Sequence, residues 1–275
     1  MSSLVGEYIK DVKTRPTTIN WINFLKSIVD GYERHFGVVH GVQKDAIQNG
    51  WDARLNRKGK KWKFTFELVE TEERSFFLMK DEGTHGLTGR ILDPTDFLKD
   101  LPEKERWGRF ENLAFTKEQS KERATLGSRG RGKFIFVGAS KINEIIYDSL
   151  REDGSYRLGV RNLTVINSET YSWDEEEGKK KIIEISSNSI TPLDTIGTRV
   201  IIVDPIKELT DAVKDGTFLR YLSETWWEII LKHNAEIYVK YNNKIDKASI
   251  PKEFILPNKD DDNFLTWIIG PKKRK

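Results

Sequence analysis

Three short side chains that carry oxygen atoms are spaced to share one face of a predicted helix over about residues 39–56. At 100° per residue, Asp45 and Asn49 lie about 40° apart, and Asp52 lies about 60° from Asn49 on the other side. Val42 and Ala46 lie close to the same face, so it is not simply the solvated side of the helix. The spacing is compatible with a functional polar cluster and with a plain polar stripe on the helix, so both interpretations stay open here.

A second group of candidate residues follows a short apolar run at 76–79, which predicts a strand. Asp81 comes at the end of this strand, and Gly83 and Gly86 follow it. A fixed carboxylate can accept a hydrogen bond from the exocyclic amine of a purine, and glycine allows the backbone to approach the ring. An acidic residue followed by glycines is also typical of an ordinary turn, so both interpretations stay open here.

A glycine-rich basic segment precedes the apolar run that begins at Phe134, and the two together indicate the start of a further helix. Glycines let backbone amides converge on an anion, and the N-terminus of a helix favours negative charge. A flexible basic loop is the alternative, which the adjoining apolar run disfavours. The candidate phosphate-binding residues are Gly127, Ser128, Arg129, Gly130, Arg131, Gly132 and Lys133.

The same segment approaches the spacing of a Walker A loop, but two features exclude that interpretation. Phe134 stands where a magnesium-binding Ser or Thr is required. The residues before the segment, 121–124, are charged and do not form a buried strand.

A Gly-Thr pair, Gly197-Thr198, enters a late apolar strand and completes a set of four motifs whose order and spacing resemble the GHKL superfamily. This superfamily includes gyrase-type topoisomerases, the ninety-kilodalton heat-shock chaperones, histidine kinases, MutL and MORC proteins. The resemblance covers roughly residues 20–240, and the Asp52-Ala53 ending of the first motif is most similar to the chaperone, MutL and MORC branch. The matching positions are Asp45, Asn49 and Asp52-Ala53, then Asp81 and Gly83, then Gly127, Gly130 and Gly132, and last Gly197-Thr198.

The resemblance implies a role for each motif in binding ATP with Mg²⁺. Asn49 would hold Mg²⁺ against the triphosphate, with Asp52 beside it, and Asp81 would bind the adenine amine. Gly83 would let the base approach, and Thr198 would support Asp81 and a water molecule. Residues 127–133 would wrap the phosphates as the hinge of a lid.

Two positions depart from the pattern of the superfamily. Asp45 stands where the family has its general base, which is usually Glu and one methylene longer, so slow hydrolysis is expected. His85 falls where the second motif has its second glycine, and Gly86 comes one place later. We expect His85 to lie at the edge of the pocket or to have a structural role.

The resemblance also implies the fold: a two-layer α/β sandwich, with a mixed β-sheet covered by helices on one face. Periodicity predicts helices over 21–36 and 218–233, besides the one over 39–56. It predicts strands over 62–68, 142–147, 158–166, 182–185, 199–203 and 236–239. Residues 93–126 are polar and weakly periodic, which predicts a long mobile connection or lid. We expect an ATP-binding domain over 1–241 and a C-terminal extension over 242–275.

Composition limits the alternatives. The 275 residues include 46 basic and 43 acidic side chains and carry a net charge of +3, which is not by itself a nucleic-acid footprint. A nucleic-acid-binding role through the basic run at 272–275 is therefore the weakest hypothesis. The chain has no cysteine and no long apolar run, which predicts a cytoplasmic protein without a membrane span.

Two functional hypotheses follow. The first is an ATPase whose nucleotide drives closure or dimerisation of a larger assembly, with a protein partner or a second copy. The second is a module that senses the nucleotide without hydrolysing it, which the Asp at position 45 motivates.

Overall fold

A single mixed β-sheet organises the chain in the structure, a computed structural model that describes residues 19–55, 61–93, 104–111 and 132–251. The eight strands are arranged in the order β5-β4-β3-β6-β2-β1-β7-β8. Neighbouring strands are antiparallel, except that β1 and β7 are parallel. The strands are β1 (Lys63–Glu70), β2 (Ser75–Glu82), β3 (Glu144–Leu150), β4 (Tyr156–Leu163), β5 (Ser168–Asp174), β6 (Gly197–Val203), β7 (Glu236–Tyr241) and β8 (Lys244–Lys247).

Seven helices accompany the sheet in the described part of the chain. Most of them pack on the face that carries Phe66, Phe77 and Ile202, where the larger hydrophobic core lies. The helices are α1 (Trp21–His35), α2 (Gly37–Asp52), α3 (Arg106–Glu111), α4 (Lys133–Gly138), α5 (Glu175–Ile185), α6 (Lys207–Lys214) and α7 (Thr217–His233).

One helix departs from the prediction that helices cover only one face of the sheet, because α5 packs on the opposite face. Alternate residues of β2 and β6, such as Phe76 and Ile201, point to the opposite face and form a second core. Ile182 of α5 is fully buried in that core. The α/β class and the mixed sheet are confirmed, and the central strands are buried on both sides.

The predicted strand over 182–185 is in fact the last turn of α5. Its short apolar run is compatible with either element, because periodicity cannot distinguish them over four residues. Glu175, Glu176 and Glu177 occupy the first turn of α5, where negative charge interacts favourably with the helix dipole. The sequence prediction missed this start signal, and it also missed β5, α6 and β8.

Part of the segment that was predicted to be a mobile connection belongs to the core. Trp107 of α3 is fully buried against Tyr147, with ring centroids 5.1 Å apart. Its backbone N–H donates to the carbonyl of Thr88 at 2.7 Å, which joins α3 to the loop after β2. The rest of that segment lies outside the described residues, apart from its first residue, Asp93, and Lys104 and Glu105.

The sheet also continues past the predicted domain boundary at Tyr241. The turn at Asn242 and Asn243 has positive φ angles of 47° and 62°, and β8 then pairs with β7. Asparagine adopts this left-handed conformation more readily than most residues, so the predicted turn is confirmed.

Candidate functional site

The candidate site lies where α2 crosses the end of β2. A Cβ atom built on Gly50 of α2 would lie 2.9 Å from the ring of Phe64 and 3.3 Å from the Cβ of Asp81. Only glycine allows the helix to approach the sheet so closely at this position. The first and second motifs of the sequence are therefore brought together by direct packing.

Asp81 is a buried carboxylate with one oxygen occupied by protein donors. The Thr84 hydroxyl donates to Oδ1 at 2.5 Å, and the backbone N–H of Thr198 donates to the same oxygen at 2.9 Å. Within the described residues, no donor contacts Oδ2. Burial raises the pKa of Asp81 to about 6, although the hydrogen bonds from Thr84 and Thr198 oppose this shift.

Close packing around Asp81 also requires a glycine at position 197, in the fourth motif. A Cβ on Gly197 would lie 2.0 Å from the carbonyl oxygen of Asp81. Gly197 thus lets β6 run close enough for the Thr198 backbone to reach the carboxylate. The expected support of Asp81 by Thr198 comes from its backbone N–H.

The two glycines after Asp81 both adopt left-handed backbone conformations. Gly83 has φ of 79°, and a Cβ there would lie 2.8 Å from the carbonyl oxygen of Lys61. Gly86 has φ of 73° and packs against Ser149 of β3, whose hydroxyl accepts from Leu87 N–H at 2.7 Å. Position 86 therefore needs a glycine for its backbone conformation, although this glycine stands one place later than the second glycine of the GHKL motif.

His85 lies at the surface of this loop, as expected for an edge or structural residue. Its Nδ1 is 2.8 Å from a carboxylate oxygen of Glu152, and its side chain is about a third exposed.

The three polar residues of α2 differ in exposure, although they share one face as predicted. Asn49 and Asp52 are exposed, whereas Asp45 is only 5% exposed. Burial raises the pKa of Asp45, and a hydrogen bond from the Tyr32 hydroxyl to Oδ2 opposes the rise. The helix therefore presents an amide to solvent one turn away from a desolvated carboxylate.

The end of the glycine-rich segment lies against this carboxylate. A Cβ on Gly132 would lie 2.7 Å from Cγ of Asp45 and 2.8 Å from its Oδ1. The structure thus brings the first and third motifs together. The other predicted phosphate-binding residues of the segment, Gly127, Ser128, Arg129, Gly130 and Arg131, lie outside the described residues.

Lys133 does not extend into solvent as the predicted phosphate-binding cation would. Its side chain is 7% exposed, and Nζ donates to the carbonyl of Arg109 in α3 at 2.8 Å. Burial lowers its pKa well below the usual value, and the nearby Arg161 adds to this effect. In this conformation the lysine holds α3 against α4.

Three residues of the site escaped the sequence prediction. Tyr32 belongs to the apolar pattern that predicts α1, and no sequence signal places its hydroxyl on Asp45. Ser149 also lacks a local signal, because it comes from a distant strand. Thr84 could have been identified, since a Thr or Ser three residues after an Asp can close a local hydrogen bond in a turn.

The close packing of Gly132 against Asp45 leads to a testable prediction about the stability of the fold. We expect Gly132→Ala to lower the free energy of unfolding by about 1–3 kcal/mol, because the added methyl overlaps a carboxylate that is buried and bonded to Tyr32. Urea denaturation followed by circular dichroism measures the change.

The matched control is Gly31→Ala in α1, where nothing lies within 4 Å of the added methyl. This substitution should stabilise the protein by about 0.5–1 kcal/mol, because alanine favours the helix. Equal effects of the two substitutions would show that Gly132 is not packed against Asp45.

Comparisons with known proteins add no family assignment to this geometry. A scan against models of known protein families found no match, and a search of curated proteins found no similar sequence. The function is therefore argued from the site itself.

The described residues include neither a helix suited to crossing a membrane nor a cluster of metal-binding side chains. None of their helices is both long and apolar enough to cross a bilayer. They contain no group of three or more His, Cys, Asp or Glu side chains arranged to hold a metal. Mg²⁺ in nucleotide sites uses one or two protein ligands together with phosphate oxygens, so an exposed amide such as Asn49 fits that kind of site.

Proposed function

We propose that this chain binds ATP with Mg²⁺ and hydrolyses it slowly, as a GHKL-type nucleotide domain. The observation that supports this proposal most strongly is the geometry of Asp81. Its Oδ1 accepts two protein hydrogen bonds and its Oδ2 accepts none from the described residues. A buried carboxylate in this arrangement is an acceptor suited to the amine of adenine, because a buried acceptor favours a ligand that donates to it.

Asp81 would also discriminate between purines. Adenine presents an amine donor at its six-position, whereas guanine presents a carbonyl there, which would repel a carboxylate oxygen. The absence of a side chain at Gly197 lets the β6 backbone lie against Asp81, and Gly83 lies against the backbone of Lys61. These features favour ATP over GTP.

The phosphates would lie towards Asn49 and Gly132. Asn49 is exposed on α2, and Gly132 contacts Asp45, which lies one turn before Asn49. Asn49 would hold Mg²⁺, which neutralises charge on the phosphate oxygens when bound. The start of α4 after Gly132 would place backbone N–H groups near the same anion.

Asp45 is the proposed general base for hydrolysis. It would accept a proton from a water molecule while the water oxygen attacks the γ-phosphorus and the bond to the ADP oxygen breaks. Burial raises the pKa of Asp45, which makes it a stronger base than a solvated aspartate. The products are ADP and inorganic phosphate.

Slow turnover by the chain alone is the direct test of this proposal. Lys133, the lysine next to the phosphate segment, is bound to the carbonyl of Arg109. A cation from another chain or segment would therefore have to stabilise the transferred phosphoryl group. We expect single-turnover hydrolysis that accelerates with protein concentration or with an added partner, as nucleotide-driven closure or dimerisation requires. If calorimetry detects no ATP binding, the proposal is wrong. If turnover is fast and independent of protein concentration, the part of the proposal that requires closure or dimerisation is wrong.

A nucleotide sensor that does not hydrolyse ATP is the second candidate, and one contact favours it. The Tyr32 hydroxyl occupies Oδ2 of Asp45, where a water molecule would otherwise be oriented. If this bond persists with nucleotide bound, Asp45 is withheld from catalysis.

Tyr32→Phe distinguishes the two candidates. Loss of the hydroxyl removes a bond that lowers the pKa of Asp45, so its pKa rises further. For an ATPase, the acidic limb of the pH–rate profile should move to higher pH, because the base stays protonated over a wider range. For a sensor, the variant should gain hydrolysis that the parent lacks.

The profile is measured on purified full-length chain between pH 5 and 9. Lys26→Gln, an exposed position of the same helix, is the control and should leave the profile in place. An unchanged profile in Tyr32→Phe would show that Tyr32 does not act on the base.

A cytoplasmic location belongs to the same proposal. The absence of cysteine suits a reducing compartment in which ATP is abundant.

A further inference from the structure

A groove of about 660 Å³ opens on the helical side of the molecule, where α1 meets α2 and α6 meets α7. Its apolar lining includes Val29, Val38 and Ile206. Phe36, at the junction between α1 and α2, lines the same groove and is 38% exposed. A large aromatic ring that is partly open to water in an apolar groove is typical of a binding surface.

Acidic side chains surround this apolar lining. Glu33, Glu208, Asp211 and Asp215 line the groove, and the cation of Lys44 lies close to an aromatic residue of the groove, with Nζ 5.1 Å from the centroid of the Phe36 ring. Lys207 is a neighbour and pairs with Asp211, but its side chain is 79% exposed. In a chain with a net charge of +3, four carboxylates at one groove favour a basic occupant with apolar side chains.

The same chain contains a segment of this composition beyond the described residues. Residues 264–269 read FLTWII, and residues 272–275 read KKRK. Five of these six residues have large apolar side chains, and contact with an apolar surface would remove those side chains from water, which is favourable. The four basic residues that follow are opposite in charge to the four carboxylates of the groove, one of which, Asp211, also pairs with Lys207.

The described chain ends beside α7, a helix that borders the groove. The backbone N–H of Ser249 donates to the Ser223 hydroxyl of α7 at 3.3 Å, and Tyr221 of the same helix lines the groove. Twelve residues separate Pro251 from Phe264, and an extended chain of that length reaches about 40 Å. The segment can therefore reach the groove of its own chain.

We propose that residues 264–275 bind the acidic groove of their own chain, with the apolar side chains on Phe36 and its neighbours and the basic run on the carboxylates. This inference does not depend on nucleotide binding. Because α2 carries both the groove residue Val38 and the site residues Asp45 and Asn49, the bound segment restrains the helix pair that forms the candidate site.

The absence of cysteine in the chain allows a direct test by cross-linking. The test variant carries Glu208→Cys in the groove and Lys273→Cys in the basic run, and a short bismaleimide joins cysteines that are close together. The matched control carries Glu184→Cys with Lys273→Cys, because Glu184 is an exposed glutamate of α5 on the opposite face. Mixing ¹⁵N-labelled and unlabelled full-length chains separates links within a chain from links between chains by mass spectrometry.

We expect the test pair to cross-link within one chain at least about tenfold faster than the control pair, because binding raises the local concentration of the segment. Adding Lys272→Glu, Arg274→Glu and Lys275→Glu should remove most of this difference, as should high salt. Equal rates for the test and control pairs overturn the proposal. Links formed mainly between labelled and unlabelled chains also overturn it, and they assign the groove to the segment of a second copy.

Discussion

Asp81→Asn should weaken ATP binding by about 10- to 100-fold while the fold is retained, because a hydrogen bond to a charged group contributes about 1.5–3 kcal/mol. Asparagine has the shape of aspartate, and its amide oxygen can take the place of Oδ1 opposite Thr84 and Thr198. The amide NH₂ then faces the amine of adenine, so a donor meets a donor. Isothermal titration calorimetry with Mg²⁺ and ATP measures the loss, and circular dichroism confirms the fold.

The control for this experiment is Asp30→Asn, an exposed aspartate of α1, which should leave the affinity unchanged. GTP should compete poorly with ATP for the unsubstituted protein. If Asp81→Asn binds ATP as tightly as the parent chain, Asp81 does not contact the base.

Asp45→Ala should separate chemistry from binding. We expect hydrolysis to fall by about 10²- to 10⁴-fold, the usual contribution of a general base, while ATP affinity stays close to that of the parent chain. Removing a buried carboxylate with a raised pKa should not unfold the protein, since its burial is unfavourable. Single-turnover assays with radiolabelled ATP measure the rate, and calorimetry measures the affinity.

Asn49→Ala provides the contrasting variant, because it should weaken binding in Mg²⁺ more than binding in EDTA. Asp30→Ala, on the exposed side of α1, is the control with unchanged rate. Equal phosphate release by the parent chain and Asp45→Ala would show that Asp45 is not the base. If the complete assembly hydrolyses no ATP in either form, the sensor is the correct alternative.

Local sequence patterns were sufficient for the long elements of the fold. The periodicity of 21–36 and 218–233 matches α1 and α7 to within one residue at each end, because an amphipathic helix repeats its apolar face over several turns. The pattern over 62–68 likewise predicts β1 to within two residues at each end. The sequence also predicted where the proposed site residues lie, with Asp45 and Asn49 on one helix and Asp81 at the end of a strand.

The tertiary structure decided what these residues contact. Tyr32 and Asp45 are thirteen residues apart, and Asp81 and Thr198 are 117 residues apart, so no local pattern encodes either hydrogen bond. The same limit explains Lys133, which was predicted to bind phosphate, since its burial depends on α3 from an earlier part of the chain. β8 was missed because its four residues carry too little periodicity, and part of α5 was misassigned because its apolar residues are confined to its last turn. Sequence alone thus determined which groups could do chemistry, and packing between distant segments determined which of them are buried, bonded and open to a ligand.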